Sequence, residues 1–110
     1  MICEFGDVSV VPFPFTDIEA TKVRPALVIS RRSFNAETGS TLVAMITTAK
    51  HSTWKSDVAI ADLSSAGLRY PSVVRWKIFT LPNELLTRGV GKLAETDRSA
   101  VLSTLRTVLP

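Results

Sequence analysis

The sequence predicts a small, strongly bent β-barrel or sandwich with one C-terminal helix, a mainly β fold with helices added. Three observations lead there. The chain of 110 residues carries several apolar runs of strand length, separated by tight polar turns. Only its last segment, "ETDRSAVLSTLRTVL", sets apolar residues at clear helical spacing. No repeat, low-complexity tract or linker divides it, so a single domain over 1–110 is expected, long enough to bury one core without staples. Periodicity alone does not show a closed barrel.

Each element has its own signal. "DVSVVPF" (Asp7–Phe13) follows the turn residue Gly6, and its Val-rich pattern marks a half-buried strand. Pro12 and Pro14 cannot donate ladder hydrogen bonds, so the strand ends there or lies at an edge. "FTDIEATK" is a polar connection. "PALVIS" (Pro25–Ser30) is continuously apolar and suits a strand covered on both faces. "SFNAETGS" reads as a turn or one helical turn, and "TLVAMIT" (Thr41–Thr47) as another buried strand. After the loop "AKHSTWKS", "DVAIA" (Asp57–Ala61) is a short strand, and "DLSSAGL" one helical turn ended by Gly67. "SVVRWKIFTL" (Ser72–Leu81) is a long strand. Alternation puts Val73, Arg75, Lys77 and Phe79 on one side, and Val74, Trp76, Ile78 and Thr80 on the other. The first side is half cationic and so wet or ligand-facing. "LTRGVGKL" is a last strand bent by glycines. In the helix, Thr96 is the expected N-cap with Asp97 in the first turn. Ala100, Val101, Leu105 and Val108, with Leu102 and Leu109 nearby, form a stripe for core or oligomer packing.

Composition narrows the function. Hydrophobic residues make up 45% and charged residues 21%, ordinary for a compact soluble domain. No apolar run approaches the roughly 20 residues of a membrane span. "MICEFGDV" lacks a basic segment ahead of a long apolar stretch, so no signal peptide is expected and the cytoplasm is the default. The single cysteine, Cys3, has no disulfide partner, and no Cys/His cluster suggests a metal, so neither metal nor cofactor is expected. Residues 20–80 hold nine Lys/Arg against three acids, leaving the flanks net acidic within an overall +3. A basic middle fits a groove for a polyanion, and equally a solvated charged surface.

Several catalytic signatures are absent: a Gly-rich phosphate loop, HExxH, CxxC and GxSxG. The one histidine, His51, sits in a basic loop as a surface residue or a substrate contact. What remains is Arg24 at a strand mouth, the Thr47–Thr48 pair, and the basic-aromatic loop 50–55. A guanidinium offers phosphate a fork of donors and stays charged at physiological pH. A threonine hydroxyl can donate to, or accept from, a phosphoryl oxygen. The two suit electrostatic stabilisation of a crowded phosphorus transition state. An arginine before proline also serves as a plain surface cap on a strand.

"GDVSVVPFPFTD", "KVRPALVIS" and "TLVAMITT", followed by "PSVVRWKIFTL", "GVGKL" and "TDRSAVL", resemble the MazF/PemK family of toxins from bacterial type II toxin–antitoxin modules, in its PemK-type branch. The resemblance covers nearly the whole chain and rests most on Gly6-Asp7, Arg24-Pro25-Ala26 through Ser30, and Thr47. It implies a small SH3-like barrel with added helices, a homodimer, and a metal-independent endoribonuclease that cuts single-stranded RNA at short motifs. The catalytic roles fall on Arg24 and Thr47: the RNA 2′-OH attacks its own phosphate, Arg24 stabilises the phosphorane, and Thr47 positions the phosphate. The expected RNA-binding set is Lys22, Thr48, Lys50, His51, Trp54, Lys55, Arg75 and Lys77. Thr48 points away from Thr47 on a regular strand, and Trp76 either stacks on a base or belongs to the core. The expected partners are RNA and a cognate antitoxin protein. The connection "PFPFTDIEATK" lacks the Gly-rich stretch with Glu and Gln of better-studied members; Glu19 is its candidate acid. Two alternatives stand beside the nuclease. One is a non-enzymatic toxin of the same fold that inhibits a protein such as gyrase, although that branch ends in Trp-Gly-Ile and this chain in "TVLP". The other is an RNA-binding barrel without catalysis.

Overall fold

The computed structural model describes residues 2–12, 23–49 and 53–110. Six strands form one antiparallel sheet: β1 (Asp7–Pro12), β2 (Val23–Val28), β3 (Ser40–Thr48), β4 (Val58–Ala59), β5 (Ser72–Pro82) and β6 (Arg88–Lys92). Their order is β4-β5-β3-β2-β1-β6. The sheet curls into a half-barrel, with β4 and β6 as its edges. Helix α1 (Arg32–Thr38) joins β2 to β3, and α2 (Glu95–Val108) closes the chain. β1 ends at Pro12, where the missing N–H would break a ladder; pairing with β6 has already stopped at Val10.

Both faces of the sheet are covered. Direct pairing sets Leu27 beside Ala44 and Val28 beside Val43, so neighbours in sequence alternate between two cores. The first core gathers Val8, Leu27, Ala44, Ile46, Val74 and Trp76 under Val101 of α2. The second gathers Val11, Ala26, Val28 and Val43 with Cys3, Leu81 and Leu86. This is why "PALVIS" reads as a continuous apolar run. Leu27 is fully buried, and burying such a side chain contributes about 1.5–3 kcal/mol.

A buried polar network ties α1 to the second core. Asn35 donates from Nδ2 to the Cys3 carbonyl at 2.9 Å and accepts from the Ser30 hydroxyl. Asn83 Nδ2 donates to the Asn35 carbonyl at 2.8 Å, and Thr41 Oγ1 donates to Asn83 Oδ1 at 2.6 Å. Each partner relieves a desolvation cost that an unpaired group would leave. "SFNAETGS" is therefore a two-turn helix, not a bare turn. Gly39 ends it in the left-handed region at φ 72°, its N–H bonded to the Asn35 carbonyl.

The C-terminal helix starts earlier than its sequence signal. Ala94 occupies the N-cap position, not Thr96. Leu93 is buried, and its N–H bonds to the Gly6 carbonyl at 2.9 Å, so the chain is anchored just ahead of α2. Asp97 turns inward, its two carboxylate oxygens accepting the N–H groups of Ala61 and Asp62 at 2.9 Å each. Of the apolar stripe, Val101 is fully buried and Leu105 packs at the margin of the first core. Leu102, Val108 and Leu109 remain exposed.

Candidate functional site

The two catalytic candidates lie on neighbouring strands, Arg24 near the start of β2 and Thr47 near the end of β3. β2 and β3 pair through Ala26–Met45, Leu27–Ala44 and Val28–Val43. The pairing ends at Ala26–Met45; extended two places further, the same register would set Arg24 across from Thr47. Alternation puts both on the face of the second core, with Ala26 and Met45 behind them. Arg24 is exposed and Thr47 half-buried. On its other side Thr47 pairs with Val73 of β5. These strand ends thus offer one guanidinium and one hydroxyl from adjacent strands, a donor set suited to an anionic oxygen cluster.

β5 supplies the next feature. Its register against β3 shifts between Ala44 and Met45, which face Ile78 and Arg75, so Trp76 and Lys77 form a bulge. The predicted alternation survives it. Trp76 lies in the first core, only 8% exposed, and its indole N–H donates to the Ser56 carbonyl at 2.8 Å. It is a core residue rather than a base platform.

Arg75 departs from its predicted setting. Alternation puts it on the half-cationic side, read as wet or ligand-facing, yet Arg75 is 8% exposed. Its Nε and Nη2 donate to the two carboxylate oxygens of Asp57 at 3.1 and 2.8 Å. The same Asp57 accepts the Trp54 backbone N–H at 2.9 Å. The hydrogen bond from Arg75 holds the Asp57 carboxyl below the usual carboxylate range; burial opposes this, and the Trp54 N–H adds to it. Desolvation works against the Arg75 charge, but Asp57 more than compensates and raises its pKa.

The pair supports an exposed aromatic ring. Arg75 Cζ lies 5.2 Å from the centre of the Trp54 ring and Lys77 Nζ 5.9 Å. Trp54 is 41% exposed, and Lys55 and Lys77 are exposed beside it. Arg75 shares the face of Arg24 and Thr47, so it braces the ring at that face rather than reaching outward itself.

Around the end of β3 the surface becomes apolar. A cavity of about 440 Å³ is lined by Thr48, Ala49, Tyr70 and Pro71. Thr48 is exposed and, as expected for a regular strand, lies on the face opposite Thr47.

Lys22, Lys50, His51 and Glu19 lie outside the described residues. Among the described residues, no group of three or more His, Cys, Asp or Glu is placed to hold a metal ion, and no helix is long and apolar enough to cross a membrane. Burial, with Asp7 adding to it, pushes the Cys3 thiol up and away from reactivity. Sequence reasoning missed Asp57 and Tyr70. Asp57 is one of only three acids in the basic stretch 20–80, a signal in itself; Tyr70 precedes a proline at a strand entrance, a weaker one.

The family model described as "PemK-like, MazF-like toxin of type II toxin-antitoxin system" matches residues 4–109. No curated protein matches the chain by sequence. Among solved structures, the chain is similar to the Mycobacterium tuberculosis toxin MazF-mt6, with 24% identity, a TM-score of 0.74, and 92% of this chain and 93% of that one covered. It is also similar to an endoribonuclease in complex with its cognate antitoxin from a mycobacterial species, with 20% identity, a TM-score of 0.76, and 98% and 97% covered. A third is MazE-MazF from Deinococcus radiodurans, at 19% identity and a TM-score of 0.73, covering 99% and 96%.

Proposed function

Since this chain belongs to the PemK-like, MazF-like toxins of type II toxin–antitoxin systems, we propose that it is an endoribonuclease that cuts single-stranded RNA without a metal. The observation that supports the reading is the β2–β3 register, which, extended two places past Ala26–Met45, would set Arg24 across from Thr47 on one face of the sheet. In the reaction the 2′-oxygen forms a bond to phosphorus as its proton passes to water. The bond from phosphorus to the 5′-oxygen breaks, and that oxygen takes a proton from water. The products are a 2′,3′-cyclic phosphate and a 5′-OH. Arg24 stabilises the extra negative charge of the phosphorane through its guanidinium donors. Thr47 holds a non-bridging oxygen. RNA is the substrate because DNA lacks the nucleophile.

Trp54 offers a stacking surface to an unpaired base, while Lys55 and Lys77 track the backbone. Arg75 acts in this scheme through Trp54 instead of touching phosphate. Lys22, Thr48, Lys50 and His51 complete the proposed RNA contacts, with Glu19 as the loop acid. A homodimer would join two such faces into one groove, and a cognate antitoxin would block it.

The test is incubation of the purified chain with a long single-stranded RNA in EDTA, beside Arg24→Ala and Thr47→Ala, with the 5′ ends mapped. Discrete cuts that vanish in the variants are expected. An intact RNA after treatment with well-folded, antitoxin-free protein would overturn the nuclease and leave the inhibitor or binding readings.

A further inference from the structure

We infer that the cavity at the end of β3 and β5 is a nucleobase subsite in which Tyr70 stacks on one base of a single strand. This rests on the nucleic-acid reading above and assigns a specific role to residues outside the catalytic pair. Among the described residues its lining is Thr48, Ala49, Tyr70 and Pro71, and its volume of about 440 Å³ leaves room for a planar heterocycle. Tyr70 is 68% exposed, the most exposed of the large hydrophobic side chains in the described residues. Its ring is therefore not serving the core.

The rim is held from behind. The Ser72 hydroxyl donates to the Tyr70 carbonyl at 2.7 Å, and the Ala49 N–H donates to the Pro71 carbonyl at 3.2 Å. The Ala49–Pro71 bond continues the β3–β5 ladder, in which Thr47 pairs with Val73 and Thr48 with Ser72, and the Ser72 bond steadies the turn beside it. The cavity is thus fixed to the same two strand ends that carry Thr47, one residue further along. Thr48 lies on the face opposite Thr47, so a strand whose phosphate lies at Thr47 would reach this rim by crossing the end of the sheet.

The chemistry favours a nucleotide over an uncharged or acidic-peptide ligand. The lining is mostly apolar, with the hydroxyls of Thr48 and Tyr70 to address a polar base edge. None of the four lining residues is charged, and the exposed cation Arg69 directly precedes Tyr70. An aromatic face with a neighbouring guanidinium accepts a base and its phosphate, and it tolerates any base because every base has a π-face. The two hydroxyls would supply what selectivity there is.

The experiment measures binding rather than cleavage. Oligonucleotides with 2′-O-methyl groups at every position, drawn from a set of diverse sequences, cannot be cut by 2′-OH attack and report affinity alone. Their Kd is measured for the wild type, Tyr70→Ala, Tyr70→Phe and Tyr70→Leu. Tyr70→Ala is expected to weaken binding by about 5- to 150-fold, Tyr70→Leu to recover little, and Tyr70→Phe to stay close to wild-type affinity. In the tightest sequence, an abasic residue at the stacked position should remove the difference between wild type and Tyr70→Ala. Equal affinity for the wild type and Tyr70→Ala overturns the subsite, as does full recovery by Tyr70→Leu or the absence of oligonucleotide binding. Binding only of apolar or acidic peptides at this cavity overturns it as well. Tyr70-dependent binding by a protein that fails to cut ordinary RNA would sink the nuclease reading alone. Cleavage with affinity unchanged in Tyr70→Ala would sink the subsite alone.

Discussion

Replacing Asp57 by asparagine removes the counter-charge beneath Arg75 while nearly preserving shape. The aspartate accepts three hydrogen bonds, two from Arg75 and one from the Trp54 N–H. An asparagine has one oxygen. Placed where Oδ2 now lies, it keeps the Nη2 and Trp54 bonds and turns an N–H₂ group toward Arg75 Nε. One charged hydrogen bond, worth about 1.5–3 kcal/mol, is lost. The guanidinium, 8% exposed, is also left without its ion-pair partner; stripping a buried pair of one member costs about 3–5 kcal/mol. Two bonds remain and Arg75 makes further contacts, so the expected loss is about 2–4 kcal/mol, roughly 8–16 °C in Tm at about 4 °C per kcal/mol. The assay is thermal and urea unfolding at several pH values. Asp57 has its folded pKa depressed below the unfolded value of about 3.9, so the pair's contribution is fully present above about pH 5. It fades as pH falls through the depressed folded value, and the two proteins should converge only below that value. A variant within about 0.5 kcal/mol of wild type at pH 7, or a gap that persists unchanged at pH 2, would refute the reasoning.

Further outcomes follow from the same geometry. Arg24→Ala should lower RNA cleavage by about 10²–10³ and Thr47→Ala by about ten- to a hundredfold, with unfolding midpoints unchanged, in a fluorogenic RNA assay. Gly67→Ala should destabilise by at least about 2 kcal/mol, because Gly67 has φ 74° and a Cβ there would lie 2.1 Å from the Val90 carbonyl oxygen. Urea midpoints within error of wild type would refute that contact. Asp97→Ala should cost about 2–4 kcal/mol by leaving the Ala61 and Asp62 N–H groups unpartnered, and should speed hydrogen exchange at those two amides.

The strands were legible because apolar runs and turn residues coincide with them. β2 and β3 announced themselves through sequences with almost no polar interruption, the mark of a sheet covered on both faces. The family motifs and the expectation of a small bent barrel rested on the same segments. Arg75 was not legible: its partner lies eighteen residues away across a loop, and no local pattern tells a loose cation from a paired one. Thr96 failed as an N-cap because an upstream tertiary anchor at Leu93 determined where the chain enters α2. Asp97, read as a helix-end charge, serves two amides of a distant turn instead. The cavity beside Tyr70 was invisible for a similar reason, since its walls come from two segments more than twenty residues apart.

The bulge at Trp76 and Lys77 constrains how this strand can change length over evolution. It inserts two residues, an even number, so Arg75 and Phe79 stay on one face and Val74 and Ile78 on the other. A single residue gained or lost is tolerated only where the bulge absorbs it; passed on down the strand, it would turn every later side chain of β5 over, exposing Leu81 and driving Thr80 inward. Gains and losses in pairs leave both faces intact without that adjustment. Relatives that differ in the length of β5 should therefore do so at the bulge, between Arg75 and Ile78, and not further along the strand.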